Sequence, residues 1–373
     1  MCTSKITLLC FFTLSILLSC KKEEKATVQV SSDFALIIPL APGGTSNYIH
    51  HNVYQEKKSR IIALYNRFEH RIELYDVTNK LFIRAIALEW EGPNGINENA
   101  DFLYYTTSNN QFVIDGLHHI FIIDQAGKTQ KKISKYVTYN DIPWRMTRPP
   151  GLGVVQHYDD ELGSFCYYMY NRDAPRQFLK DEKLRLLLYS INESAHEDLV
   201  PIEIPLPAIL PEYNGFGQVP NFLEPQILYS GNRIVYNFRF ESRFYVFDIG
   251  KEKLVEFNPD VQYANKRAEP LLTAISIDEL QKTINRNPTF GQFTYDTFRR
   301  KYYRFYYTPV IEKTGRRDLC LQIFDNNFVN VAEANLNHEF LPVILALPDE
   351  VFIRMGINEA PDENNIYFKK IIF

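Results

Sequence analysis

Of the five cysteines among the 373 residues, Cys20 is the one whose surroundings equip it for chemistry. It closes the run Leu17-Leu18-Ser19-Cys20, with Leu three residues before it and a small Ser immediately before it. A thiol in that setting can take a diacylglyceryl group on sulfur before a peptidase cuts ahead of it. The upstream stretch suits that fate. A single Lys5 precedes the apolar run Ile6–Leu18, which is shorter than the roughly 20 residues of a spanning helix but fits the core of a secretory signal. Residues 1–19 are therefore expected to be a cleaved signal and Cys20 the lipid-bearing first residue. Cys2 and Cys10 leave with the signal. Cys166 and Cys320 remain, each inside an apolar run, and read as small buried hydrophobes, although an exported protein would permit a disulfide.

Other motifs fall short of the chemistry they suggest. Gly127-Lys128-Thr129 lacks the glycine a phosphate loop needs five residues earlier, where Ile122 stands. His338-Glu339 has no second zinc histidine, and Gly163-Ser164 lacks the flanks of a nucleophile elbow. His50-His51 and His118-His119 are sequence neighbours, and in a strand neighbours point to opposite faces, so neither pair can hold one metal. No metal site and no cofactor is expected. Asp159-Asp160-Glu161 could couple carboxylates for acid–base work, but reads as an exposed hairpin tip. No catalytic set assembles.

Two loops carry ligand-binding potential. Asn140–Gly151 joins two repeat units and contains one of only two tryptophans. There Trp144 could stack on a sugar or an aromatic ring, Arg145 and Arg148 could grip a carboxylate or phosphate, and three prolines would stiffen the segment. The alternative is a Trp wedged between units. Pro211–Gly217 is the second, with Tyr213 and Asn214 among glycines.

The elements that position these residues are strands. Tyr (24) and Phe (27) are abundant, as strands favour, and Arg233–Phe240 alternates with Ile234, Tyr236, Phe238 and Phe240 on one face. Several strands end alike: Arg71–Asp76, His119–Asp124, Arg243–Asp248 and Cys320–Asp325, with Arg185–Ser190 as a Ser-ended relative. Asp or Ser at that place bonds the backbone of the turn that follows. Strand, hairpin, Asp-ended strand, tight turn and outer strand make a propeller blade. Units fall near 59–88, 99–137, 150–206, 224–258 and 290–335, with a sixth from Leu341 to Phe373 that Asp33–Leu40 would complete. Ser276-Ile277-Asp278-Glu279 is a capping box, so a short helical insertion through about Ile284 is expected between blades four and five. The expected fold is an all-β propeller of six blades of four antiparallel strands over residues 33–373, behind a charged tether at 20–32. A β-sandwich or two smaller β domains would also suit short strands with turn signals.

The lipobox, the length and the degenerate aromatic-Asp strand ends together resemble the six-bladed, TolB-like propeller lipoproteins of didermal bacteria. More narrowly, they resemble an uncharacterised domain-of-unknown-function family among them. That resemblance implies the fold and supplies no catalytic residues. Lys21, where an Asp would favour inner-membrane retention, points to the outer membrane, and Glu23-Glu24 beside the anchor resembles a surface-export tag. Formal charge is −4, and loss of Lys5 with the signal makes it one unit more negative, which excludes nucleic acid as a partner. No later stretch is apolar enough for a membrane helix. The expected function is an outer-membrane-anchored module, surface-exposed if the export tag acts, that binds a glycan, peptide or protein ligand. The competing reading is a hydrolase or lyase working on glycan or peptide at the channel face.

Overall fold

The computed structural model describes residues 26–45, 51–56, 59–98, 100–106, 110–147, 164–171, 183–190, 201–206, 225–268 and 276–373. Residues 1–25, including Cys20, lie outside them. Among the described residues the strands form six sheets. The first holds β3 (His51–Glu56), β4 (Ser59–Asn66), β5 (Arg71–Asp76) and β6 (Leu81–Ala87), and the second β7 (Ala100–Thr106), β8 (Gln111–Gly116), β9 (His119–Ile123) and β10 (Thr129–Ser134). The third holds β11 (Tyr136–Tyr139), β12 (Ile142–Thr147), β13 (Ser164–Asn171), β14 (Lys183–Ser190) and β15 (Ile202–Pro205). The fourth holds β16 (Gln226–Ser230), β17 (Arg233–Asn237), β18 (Phe244–Asp248) and β19 (Lys253–Phe257). In the fifth, β20 (Thr289–Asp296), β21 (Lys301–Tyr307), β22 (Leu319–Phe324) and β23 (Asn330–Asn335) gain a parallel edge from β1 (Ala26–Thr27). In the sixth, β24 (Phe340–Ala346), β25 (Val351–Met355) and β26 (Asn365–Ile372) are completed by β2 (Gln29–Pro39).

The sheets pack face to face in a closed cycle, which is a β-propeller arrangement. Ile72 and Leu74 of the first sheet meet Phe112 and Phe121 of the second, and Ile120 and Ile122 of the second meet Met146 and Met169 of the third. The series runs on through Leu186 with Tyr236, Val235 with Phe324 and Leu321 with Ile353. Phe352 and Phe368 against Ile62 and Tyr75 bring the sixth sheet back to the first. A sheet buried on both faces needs apolar residues at odd and even positions alike. Hence the near-continuous runs such as Phe244-Tyr245-Val246-Phe247.

The Asp at each strand end works as its position requires. Asp124 Oδ1 accepts from Ala126 N and Lys128 N, Asp325 Oδ1 from Asn327 N and Val329 N, Asp76 Oδ1 from Asn79 N and Asp248 Oδ1 from Lys251 N. A helix, α1 (Ile277–Arg286), lies between β19 and β20, with Ser276 Oγ accepting from Glu279 N at 3.3 Å.

Three details differ from expectation. Strand pairing begins at Ala26, inside the stretch expected to be tether up to residue 32. The segment expected to be a loop at 140–151 instead contributes β12, paired with β11 across Asn140 (φ 50°) and Asp141 (φ 60°). Two successive left-handed residues make the tight hairpin turn whose twist matches its strands. The third sheet therefore starts at Tyr136 and has five strands, and Lys183–Ser190 takes its fourth place rather than its third. Four strands per sheet holds elsewhere except in the fifth, where β1 is added.

Candidate ligand-binding face

In a four-stranded antiparallel sheet, the turn between strands two and three and the link to the next sheet fall on one side. The other two turns fall on the opposite side. On the first side of the first two sheets lie two clusters of rings.

The first cluster is built on the β4–β5 turn. His70 Nε2 lies 3.2 Å from the Glu89 carbonyl oxygen, and His70 Nδ1 lies 3.0 Å from the Tyr65 hydroxyl. A carbonyl can only accept, so Nε2 carries the proton and Nδ1 accepts from Tyr65. Burial lowers the pKa of His70 from its ordinary 6.5, against a smaller upward pull from Glu89. Trp90 stacks on this neutral imidazole, centroids 3.8 Å apart and planes 10° from parallel, yet stays 48% exposed. Phe68, at the tip of the turn, is 63% exposed, with the Arg67 guanidinium 5.0 Å from its centroid. Below them, buried Glu73 accepts from Arg71 Nε at 2.7 Å, Asn66 Nδ2 at 2.9 Å and the Tyr75 hydroxyl at 2.6 Å, which fixes the turn's base.

The segment from Leu88 to Glu98 leads to the second cluster, on the β8–β9 turn. Glu98 Oε1 lies 2.7 Å from His119 Nδ1, and Glu98 Oε2 accepts from the His118 backbone N–H. The His118 ring turns the other way and meets the Tyr136 hydroxyl at 2.8 Å. Arg145 Nη2 donates to the Leu117 carbonyl at 3.0 Å, and its guanidinium lies 5.7 Å from the Tyr136 ring centroid. Lys135 is buried beneath, paired with Asp115 at 2.5 Å and donating to the Gly116 carbonyl at 2.7 Å. Leu117 and Tyr136 remain 52% and 39% exposed.

The arrangement offers flat rings, an apolar side chain and a guanidinium on a surface held rigid from below. Among the described residues no group of three His, Cys, Asp or Glu is disposed to hold a metal ion. Glu98 spends both oxygens on orienting the β8–β9 turn, so it is not presented as a general base.

Of the residues singled out in the sequence, Arg145 takes part in this face. Trp144 does not: it is buried, its Nε1 donates to the Tyr139 carbonyl at 3.1 Å, and the Arg185 guanidinium covers its ring at 5.1 Å. Of the two readings of Trp144, a ring open to a ligand or a wedge between units, its burial among second-sheet residues fits the wedge. Arg148, Tyr213, Asn214 and Asp159–Glu161 lie outside the described residues. Cys320 is buried and free, and burial pushes its thiol up to about 12. Trp90, His70 and Tyr136 were missed. The available signal was an isolated Trp between two glutamates in a Gly- and Pro-bearing link, Glu89-Trp90-Glu91-Gly92-Pro93.

A crystal structure of a member of the DUF4221 family from Bacteroides vulgatus is similar over 92% of this chain and 98% of that one, with TM-score 0.70 and 15% identity. A protein described as exported, from Bacteroides fragilis, covers 93% and 95% at TM-score 0.46 and 8% identity. No curated protein matches. The model of the family Domain of unknown function (DUF4221) matches residues 18–140 and 179–335. That is well over half of the chain, and with the shared propeller fold it establishes that the chain belongs to the DUF4221 family.

Proposed function

We propose that this is an exported lipoprotein, cleaved before Cys20 and lipidated there, held at the outer membrane, whose six sheets each serve as one blade of a TolB-like ring that binds a peptide or protein partner. One observation carries the binding reading. Among the described residues, the exposed aromatic rings Phe68, Trp90, Tyr136 and Tyr263 share the face of the inter-sheet links. On the opposite face Phe298 is the sole exposed ring of the described residues, Phe373 lying at the carboxyl end. Exposed Trp, Tyr and Phe beside Arg are what protein interfaces concentrate. The two clusters stand on turns rather than in a deep cleft, which suits a macromolecular partner better than a small substrate. The reading is tested by selecting a phage-displayed peptide library on the protein. Selected clones are expected to lose binding to a Trp90→Ala/Tyr136→Ala variant that keeps its β circular dichroism. Clones that bind this folded variant equally well would sink it. The anchor is tested separately by incorporation of labelled palmitate, expected to vanish in Cys20→Ser and to persist in Cys166→Ser.

A further inference from the structure

A pocket of about 270 Å³ opens where the ring is closed by β2. It exists because the pairing of β2 with β26 is irregular. Val30 lies opposite Ile371 and Phe34 opposite Lys369, so the intervening residues 31–33 bulge away from the sheet. Ser31 and Ser32 of the bulge form one wall, Asn337 and Glu339 of the β23–β24 link another, and Phe340 and Lys369 a third. Lys369 Nζ sits 5.7 Å from the Phe34 ring centroid and 5.9 Å from that of Phe340. Among the described residues no carboxylate lies within 4.0 Å of that ammonium, and Glu339, which lines the same pocket, is likewise without an ion-pair partner. Neighbouring Lys370, in contrast, is neutralised by Glu350 at 3.0 Å.

A lysine and a glutamate that line one pocket without pairing with each other complement a ligand bearing both charges in reverse. The formal charge of −4 disfavours a multiply charged anion as the alternative. The volume equals that of about nine waters at roughly 30 Å³ each, room for a small organic molecule. We propose that this pocket binds a free α-amino acid, its carboxylate directed to Lys369 and its ammonium to Glu339, with its side chain against Phe340. The walls come from opposite ends of the chain and meet only when β2 is seated on β26. A bound amino acid therefore stabilises the closed ring by mass action.

The test uses the full chain, with the melting temperature and calorimetric titration recorded for each of the twenty proteinogenic amino acids. At least one is expected to bind and raise the melting temperature. Lys369→Gln and Glu339→Gln should each weaken that binding by about tenfold or more, as should removal of the amine or the carboxylate from the ligand. The hit should also slow acetylation of Lys369 in the unaltered protein, a readout that does not depend on the variants folding. The proposal is overturned if none of the twenty binds, if neither variant weakens the hit, if the hit leaves Lys369 acetylation unchanged, or if the deaminated analogue binds equally well, which would mark an anion site only.

Discussion

At the scale of single residues, burial decides which reactive side chains are available. Trp144 fills the interface between the second and third sheets, so Trp144→Ala is expected to cost about 3–5 kcal/mol, read as a lowered urea midpoint. A variant as stable as the parent would contradict its place in the core. His70 gives a pH dependence with a definite sign. Its folded pKa lies below the ordinary 6.5 because burial disfavours the cation. The unfolded chain then takes up the proton first, and stability present above pH 6.5 falls as pH drops towards the folded value. Unfolding midpoints followed from neutral to mildly acid pH should show this decline, and His70→Gln should flatten it. Cys320, with its thiol raised to about 12 and no exposure, should resist maleimide in the native protein and label only at the rate of global unfolding, as read by peptide mass spectrometry. The residue types at these positions were legible in the sequence. Their surroundings were not: nothing local announces that Arg185, over forty residues downstream of Trp144, covers its ring.

Elements were legible wherever a local rule governs them. The Asp-ended strands could be aligned because an acceptor is needed at the head of each tight turn, and the capping-box spacing at Ser276 marked where α1 begins. The hairpin of β11 and β12 is not announced locally: Pro143 and the Pro149-Pro150 pair argue against a strand there, while the Asn140-Asp141 turn, whose two residues adopt positive φ, carries no glycine. Gly127 shows what a turn residue can owe to a neighbouring sheet. It has φ +83°, and a Cβ there would lie 2.3 Å from the Ala87 carbonyl oxygen of β6. Gly127→Ala is accordingly expected to cost about 2 kcal/mol or more. Gly315 has φ +65° with nothing within 4 Å of its Cβ position, so Gly315→Ala should cost only about 1 kcal/mol. Equal losses in chemical denaturation would refute the sheet-to-sheet contact as the cause.

For the whole molecule, the repeated strand pattern was enough to reach a propeller, because a sheet flanked by sheets writes its burial into both faces of its inner strands. The face proposed to bind a partner could not be reached that way. It depends on which turns meet on one side, and short turns at Arg67–His70 and Leu117–His118 say nothing of each other in sequence. Removal of residues 26–39 would leave β26 as an unpaired edge and take Leu36 and Ile38 out of the seam. Such a truncation is expected to aggregate, and a monodisperse, β-rich product on size-exclusion chromatography would show that β2 is dispensable. The same seam sets a clock. Because β2 finds its partner only in residues 365–372, a strand that emerges early in translation waits for one made at nearly the end, and the closure spans almost the full length of the polypeptide. Every nascent chain must spend its synthesis with that hydrophobic strand unmatched. The vulnerable period of this protein is thus its manufacture, when a holdase on β2 would matter more than any later repair.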